Sequence, residues 1–205
     1  MTTVEELPHE PLHLPSLAQG LPPVPSPELD PYLDAAAACF ARHGISRTSV
    51  PDIARELGIS RTTVYRQVGT VEQAARLLLA RELHRLLAQL PKALQGAGGP
   101  ETITRLVATV AVFAREHPVL AKVVADEPEL IGPFLVAELP ELVSRVSTIT
   151  IPLLERAMGA GLIHRRDPGV LAELLVRTTI SLALAPPSTG VEAYLEETLL
   201  PVLTA

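Results

Sequence analysis

The stretch TSVPDIARELGISRTTVYRQ, residues 48–67, decides the fold. Two short helices fit it, about 50–57 and 61–67, with the turn between them at Gly58. Ser49 caps the first helix, Pro51 suits its first turn, and Asp52 at the third helical position completes a capping box. Gly58 supplies the tight turn, and Ser60 caps the second helix. Ile53, Ala54 and Leu57 face inward from the first helix, where small Ala54 lets the second cross closely. Ile59 and Val64 fill the space between the two. The other positions of the second helix, Arg61, Thr62, Thr63, Tyr65, Arg66 and Gln67, are polar or amphipathic and face outward. So short and polar a helix has too little apolar surface to be kept for core packing alone. The physics is that of a helix-turn-helix.

Working outward, the pattern stays helical. Upstream, Leu33, Ala36, Ala37, Phe40 and Ala41 recur at three- and four-residue spacing behind Pro31, and Gly44 stops that helix. Downstream, Thr70 with Gln73 repeats the capping-box pattern and opens a long fourth helix that ends near Leu90, before Pro91. Gln95-Gly-Ala-Gly-Gly-Pro100 reads as a linker, because no strand precedes it and no Gly-Lys-Ser follows. Helical stretches follow near 101–116, 118–125, 137–159, 168–185 and 190–203, separated by Pro and Gly. Pro152 lies inside the third of these and predicts a kink. No strand-like alternation intervenes, so the fold class is all-α. Residues 1–30 differ: seven prolines (8, 11, 15, 22, 23, 25 and 27) predict an extended, disordered arm. It carries no Lys or Arg, so DNA phosphates would repel it.

Composition narrows the function. The 205 residues are 47% hydrophobic yet include only three Tyr, three Phe and no Trp. No apolar run is long enough to span a bilayer, and the acidic, Pro-rich start does not resemble a secretory signal. The single cysteine, Cys39, suits a reduced cytoplasm and reads as a small packed hydrophobe. Net charge is −6, but it is unevenly spread. Residues 42–91 hold eight Arg (42, 47, 55, 61, 66, 76, 81 and 85) against Asp52, Glu56, Glu72 and Glu82. A basic island on an acidic chain is what a DNA-reading head on a larger body shows. In a major groove, Arg61 or Gln67 could read base edges, Thr62 and Thr63 could meet thymine methyls, and Tyr65 and Arg66 could reach phosphates. Thr48, Ser49 and Ser60, at the helix starts, are further candidates for phosphate contact. The six His show no metal-ligand spacing, and no catalytic signature surrounds any nucleophile. Neither an enzyme nor a cofactor is expected.

Residues 33–90 resemble the DNA-binding head of the TetR (tetracycline-repressor-like) family of bacterial regulators. The matching residues are Ala37, Phe40, Gly44, Thr48-Ser-Val, Asp52-Ile-Ala, Gly58-Ile-Ser, Val64-Tyr65 and Glu72. The resemblance implies a nine-helix subunit, with a three-helix head over 31–69 and a six-helix body over 70–205 for ligand binding and dimerisation. It also implies a homodimeric, ligand-responsive repressor that binds a pseudo-palindromic operator in double-stranded DNA. Three positions depart from the family's pattern. Val68 stands where an aromatic is usual, Val71 where a phosphate-binding Lys is usual, and Thr62 where a Gly is common. Altered or weakened DNA recognition is the expectation there.

In the body, the resemblance places His84 and His117 at the pocket. Leu83, Val110, Phe113, Val146 and Ile149 are the candidate walls, and their aliphatic character favours a small apolar effector. The last two helices carry the expected dimer interface: Leu171, Leu174, Leu175, Thr178, Ser181 and Leu182 on one, Tyr194, Leu195 and Leu199 on the other. Two such helices from each subunit would form a four-helix bundle. The alternative reading is a helical, dimeric interaction or ligand-binding protein that has lost specific DNA binding.

Overall fold

The computed structural model describes residues 22–204, and among them no strand occurs. The part of the expected arm before Pro22 lies outside the described residues. Residues 22–26 carry no regular structure, and a single 3₁₀ turn, Pro27–Leu29, leads into the first helix. The helices are α1 Asp30–His43, α2 Val50–Leu57, α3 Arg61–Val68, α4 Val71–Ala93, α5 Pro100–Glu116, α6 Pro118–Asp126, α7 Leu139–Gly159, α8 Pro168–Leu184, α9 Val191–Thr198 and α10 Leu200–Thr204.

Two apolar clusters hold these helices together. The first joins Leu33, Ala36 and Phe40 of α1 to Ile53 and Ala54 of α2 and to Val64 and Val68 of α3. It also takes in Ala74 and Leu78 of α4 and Val119 of α6. The head is thus closed by side chains from both α4 and α6. The second cluster is built from Val107, Ala108 and Ala111 of α5, Leu154 and Met158 of α7, Leu171, Leu175 and Leu182 of α8, and Leu195 of α9. Fully burying side chains of this size stabilises by about 1.5–3 kcal/mol each, so the two clusters dominate the folding free energy.

Prolines set several boundaries away from the sequence expectation. α4 continues through Pro91 to Ala93, because a proline in the last turn loses only one backbone hydrogen bond. Between α6 and α7 the chain winds through a 3₁₀ turn at Pro128–Leu130, a short turn at Ile131–Pro133 and a π-helical turn at Phe134–Glu138. α7 therefore opens at Leu139 rather than 137. Pro152 lies within α7, as its spacing implied. The last helix divides at Leu199, since Pro201 offers no N–H to the carbonyl of residue 197.

Candidate nucleic-acid interface

The presenting geometry starts at the turn after α1. Gly44 ends α1 at φ +89° and ψ 165°, a conformation essentially reserved for glycine. The Thr48 hydroxyl donates to the Gly44 carbonyl at 2.6 Å and is buried. Ser49 then caps α2. Its amide donates to the Asp52 carboxylate at 2.9 Å, its hydroxyl donates to the same oxygen, and Arg55 reaches the second oxygen at 2.8 Å. The Ser49 hydroxyl, then its amide, then Arg55 hold the Asp52 carboxyl down from 3.8 to about 2. Gly58 turns the chain in the left-handed region, at φ +67° and ψ 29°. Ser60 starts α3, accepting from the Thr63 amide at 3.2 Å and sharing a 2.9 Å hydrogen bond with the Thr63 hydroxyl.

Helix α3 is pinned by two buried residues, Val64 and Val68, and is otherwise open. Arg61, Thr62, Tyr65, Arg66 and Gln67 are exposed, and Tyr65 shows 54% of its surface. Five of the nine candidate contacts are therefore free side chains on one short helix. Ser49, Ser60 and Thr63 already bond locally and reach solvent beside it, whereas Thr48 is spent on the turn. Two of the three departures from the family pattern, Val68 and Val71, have packing roles, whereas Thr62 is exposed. Val68 is core, and Val71 packs against the head cluster, so neither offers a phosphate contact.

The body residues are dispersed. Leu83, His84, Val110, Phe113, His117, Val146 and Ile149 are all half-buried. A cavity of about 690 Å³ lies between α4, α5 and α9, and of the seven only Phe113 lines it. Its floor is Ala108, Val112, Phe113 and Leu195, while Glu101, Glu116, Glu192, Glu196 and Arg105 stand at its rim. That rim is more polar than the aliphatic walls anticipated. His84 instead meets the Pro22 carbonyl through Nε2 at 2.9 Å. His117 lies 3.8 Å from Glu82, and burial holds its imidazole below the ordinary value even though Glu82 pulls the other way. Among the described residues, no His, Cys, Asp and Glu group could hold a metal.

The nine candidate interface residues divide by face. Leu171, Leu175, Leu182, Leu195 and Leu199 are buried in the chain's own core. Leu174, Ser181 and Tyr194 are exposed and Thr178 is half-buried. With Val170, 70% exposed, they form the outward stripe of α8 and α9. No described helix is long and apolar enough to cross a membrane.

Two charged side chains that sequence reasoning passed over join the head to the rest. Arg81 of α4, 7% exposed in its side chain, pairs with Asp30 at 3.2 Å, Asp34 at 2.8 Å and Glu82 at 3.0 Å. Glu127, just past α6, bonds the turn after α1. Neither contact has a local signal, because Asp30 lies 51 residues from Arg81, and the Ser46 and Ile45 amides lie 81 and 82 residues from Glu127.

Residues 33–67 match the profile of the bacterial regulatory proteins of the tetR family. No curated protein sequence matches the chain. Among solved structures, the fatty acid degradation regulator FadR from Bacillus halodurans is similar at 20% identity, with a TM-score of 0.62 over 88% of this chain and 96% of that one. Salmonella enterica GusR is similar at 22% identity and TM-score 0.62, over 86% and 95%. A tetR-family regulatory protein from Rhodococcus RHA1 is similar at 21% identity and TM-score 0.61, over 88% and 98%. At such identities these likenesses speak for the fold. The head, residues 33–67, thus matches the tetR family of bacterial regulatory proteins, and the chain shares its fold with tetR-family proteins of known structure.

Proposed function

We propose that the protein is a homodimeric, effector-controlled transcriptional repressor that places α3 of each subunit in the major groove of a pseudo-palindromic operator. The observation that carries this reading is the make-up of α3. Two valines hold it to the core, and Arg61, Thr62, Tyr65, Arg66 and Gln67 project from it unpacked. Guanidinium and amide groups match the hydrogen-bonding edges of guanine and adenine, and Tyr and Arg match phosphate. Residues 42–91 give that surface a positive local charge, which steers it to DNA despite the net −6 of the chain.

The outward stripe Val170, Leu174, Thr178, Ser181 and Tyr194 suits a twofold contact between α8 and α9 of two copies. Such a dimer reads two half-sites about one helical turn apart. The cavity between α4, α5 and α9 suits an effector with an apolar body, held against Ala108, Val112 and Phe113. An effector that prefers one arrangement of the helices lowers operator affinity by that preference and no more. Acting on DNA, the protein works in the bacterial cytoplasm.

The test is selection from sheared genomic DNA by the purified full-length protein. Enrichment of one pseudo-palindrome with half-sites about ten base pairs apart is the expected result. Recovery of fragments without a shared sequence would overturn the repressor reading. It would leave a helical ligand-binding or interaction protein.

A further inference from the structure

Helix α1 is held at both ends by charged side chains from outside the head. At its start, the Arg81 guanidinium meets Asp30, Asp34 and Glu82, so three carboxylates share one cation. At its end, beside the packing of Val119 and an exposed Arg47–Asp126 pair, one buried carboxylate takes both hydrogen bonds from the turn. Glu127 is 1% exposed. Its Oε2 accepts from the Ile45 amide at 2.6 Å, and its Oε1 accepts from the Ser46 amide at 2.9 Å. The space it fills is one that Gly44 leaves open: a Cβ on that glycine would lie 2.5 Å from the Glu127 Cδ.

The bonded turn leads straight into the DNA-presenting elements. Thr48 closes it onto Gly44, Arg47 Nε donates to the His43 carbonyl at 3.0 Å, and Ser49 is the cap of α2. On the other side, Glu127 continues α6, since its amide donates to the Val123 carbonyl at 2.9 Å. Val119 of the same helix sits in the head's core. A movement of α6 therefore reaches the start of α2 through the six-residue connection 44–49, without passing along α4. The contact is also abrupt. Displacing the carboxylate by about 1 Å takes both bonds beyond hydrogen-bonding distance together, so the turn is either held or released.

We propose that Glu127 is the positioning residue through which α6 sets the head. While its carboxylate holds the Ile45 and Ser46 amides, α2 and α3 keep their DNA-binding register, and a shift of α6 that withdraws it releases them. This rests on the regulator reading given above. The redundancy at Arg81 makes that end of α1 a fixed pivot, and the single carboxylate at the other end makes it the switchable one.

The experiment compares full-length wild type with Glu127→Gln, Glu127→Asp and, as a control, Asp126→Asn, which removes the exposed pairs of the neighbouring carboxylate to Arg47 at 3.9 Å and to Lys122 at 2.5 Å while leaving Glu127 in place. Two quantities are read: amide hydrogen exchange at residues 45 and 46, and anisotropy-based affinity for an operator recovered by the wild type and for a scrambled duplex. Glu127→Gln is expected to speed exchange and to weaken operator binding by about tenfold or more, with scrambled-duplex affinity and helical content unchanged. Asp126→Asn is expected to change neither quantity. A purely structural glutamate would not alter the ratio of operator to scrambled affinity. If Glu127→Gln does not fold, Glu127→Asp, with a shorter reach and the same charge, carries the test with the same expected signs. Unchanged exchange, or faster exchange with undiminished operator affinity, would overturn the proposal and leave the regulator reading intact. A wild type that recovers no DNA would remove both.

Discussion

At Asp52, a half-buried carboxylate takes hydrogen bonds from the Ser49 hydroxyl, the Ser49 amide and Arg55. They hold its pKa at about 2 against an ordinary 3.8. A carboxylate lowered on folding stabilises the fold above its unfolded pKa and loses that contribution as pH falls through the folded one. The difference in melting temperature between wild type and Asp52→Asn is therefore expected to be constant above about pH 5 and to shrink between about pH 4 and 2. A pH series of thermal melts checks it. Gly44→Ala is expected to cost about 3 kcal/mol in denaturant unfolding, since the residue must adopt a glycine-only conformation and its methyl would strike the Glu127 carboxylate. The capping box at Ser49 and Asp52 was legible in the sequence because both partners fall within four residues. Glu127 was not: its amide partners lie 81 and 82 residues away, and Asp126-Glu127-Pro128 has the look of a solvated turn.

At the scale of the element, α3 separates folding from recognition between neighbouring residues. Val64 is fully buried in the head cluster, and Val64→Ala is expected to destabilise the chain by about 2 kcal/mol through the cavity it leaves. Tyr65→Ala removes a mostly exposed ring, so the unfolding midpoint should stay within about 0.5 kcal/mol while operator affinity falls. Denaturation and anisotropy on the same two variants check both. This element was readable because a helix of eight residues with two inward positions leaves few choices of face. Longer elements were harder. α4 ran past Pro91, since a proline near a helix's end costs little, and α7 yielded its first turn to a π-helical one. Breakers mark where a helix can end, and packing decides where it does.

Across the whole molecule, the helical class and the head were legible because caps, glycines and apolar spacing agreed there. The body's facing was not. α8 is apolar on most of its circumference, broken by the exposed Glu173–Arg177 pair, and α9 sets Tyr194 beside buried Leu195, so periodicity did not separate Leu171, Leu175 and Leu182, which are buried, from Leu174 and Tyr194, which are exposed. Leu174→Arg alters an outward position, so the subunit is expected to stay folded while light scattering shows a shift from dimer to monomer. Operator affinity should fall with it, because two half-sites are then no longer bound by one molecule. The most direct measurement is fluorescence anisotropy of the full-length protein on a recovered operator duplex and on a scrambled one, across a salt series, with Tyr65→Ala and Arg61→Ala alongside. The expected result is operator affinity at least about a hundredfold above the scrambled duplex, falling steeply with salt and lost in both variants. Equal affinity for the two duplexes, or specific binding that survives both substitutions, would contradict a recognition surface on α3.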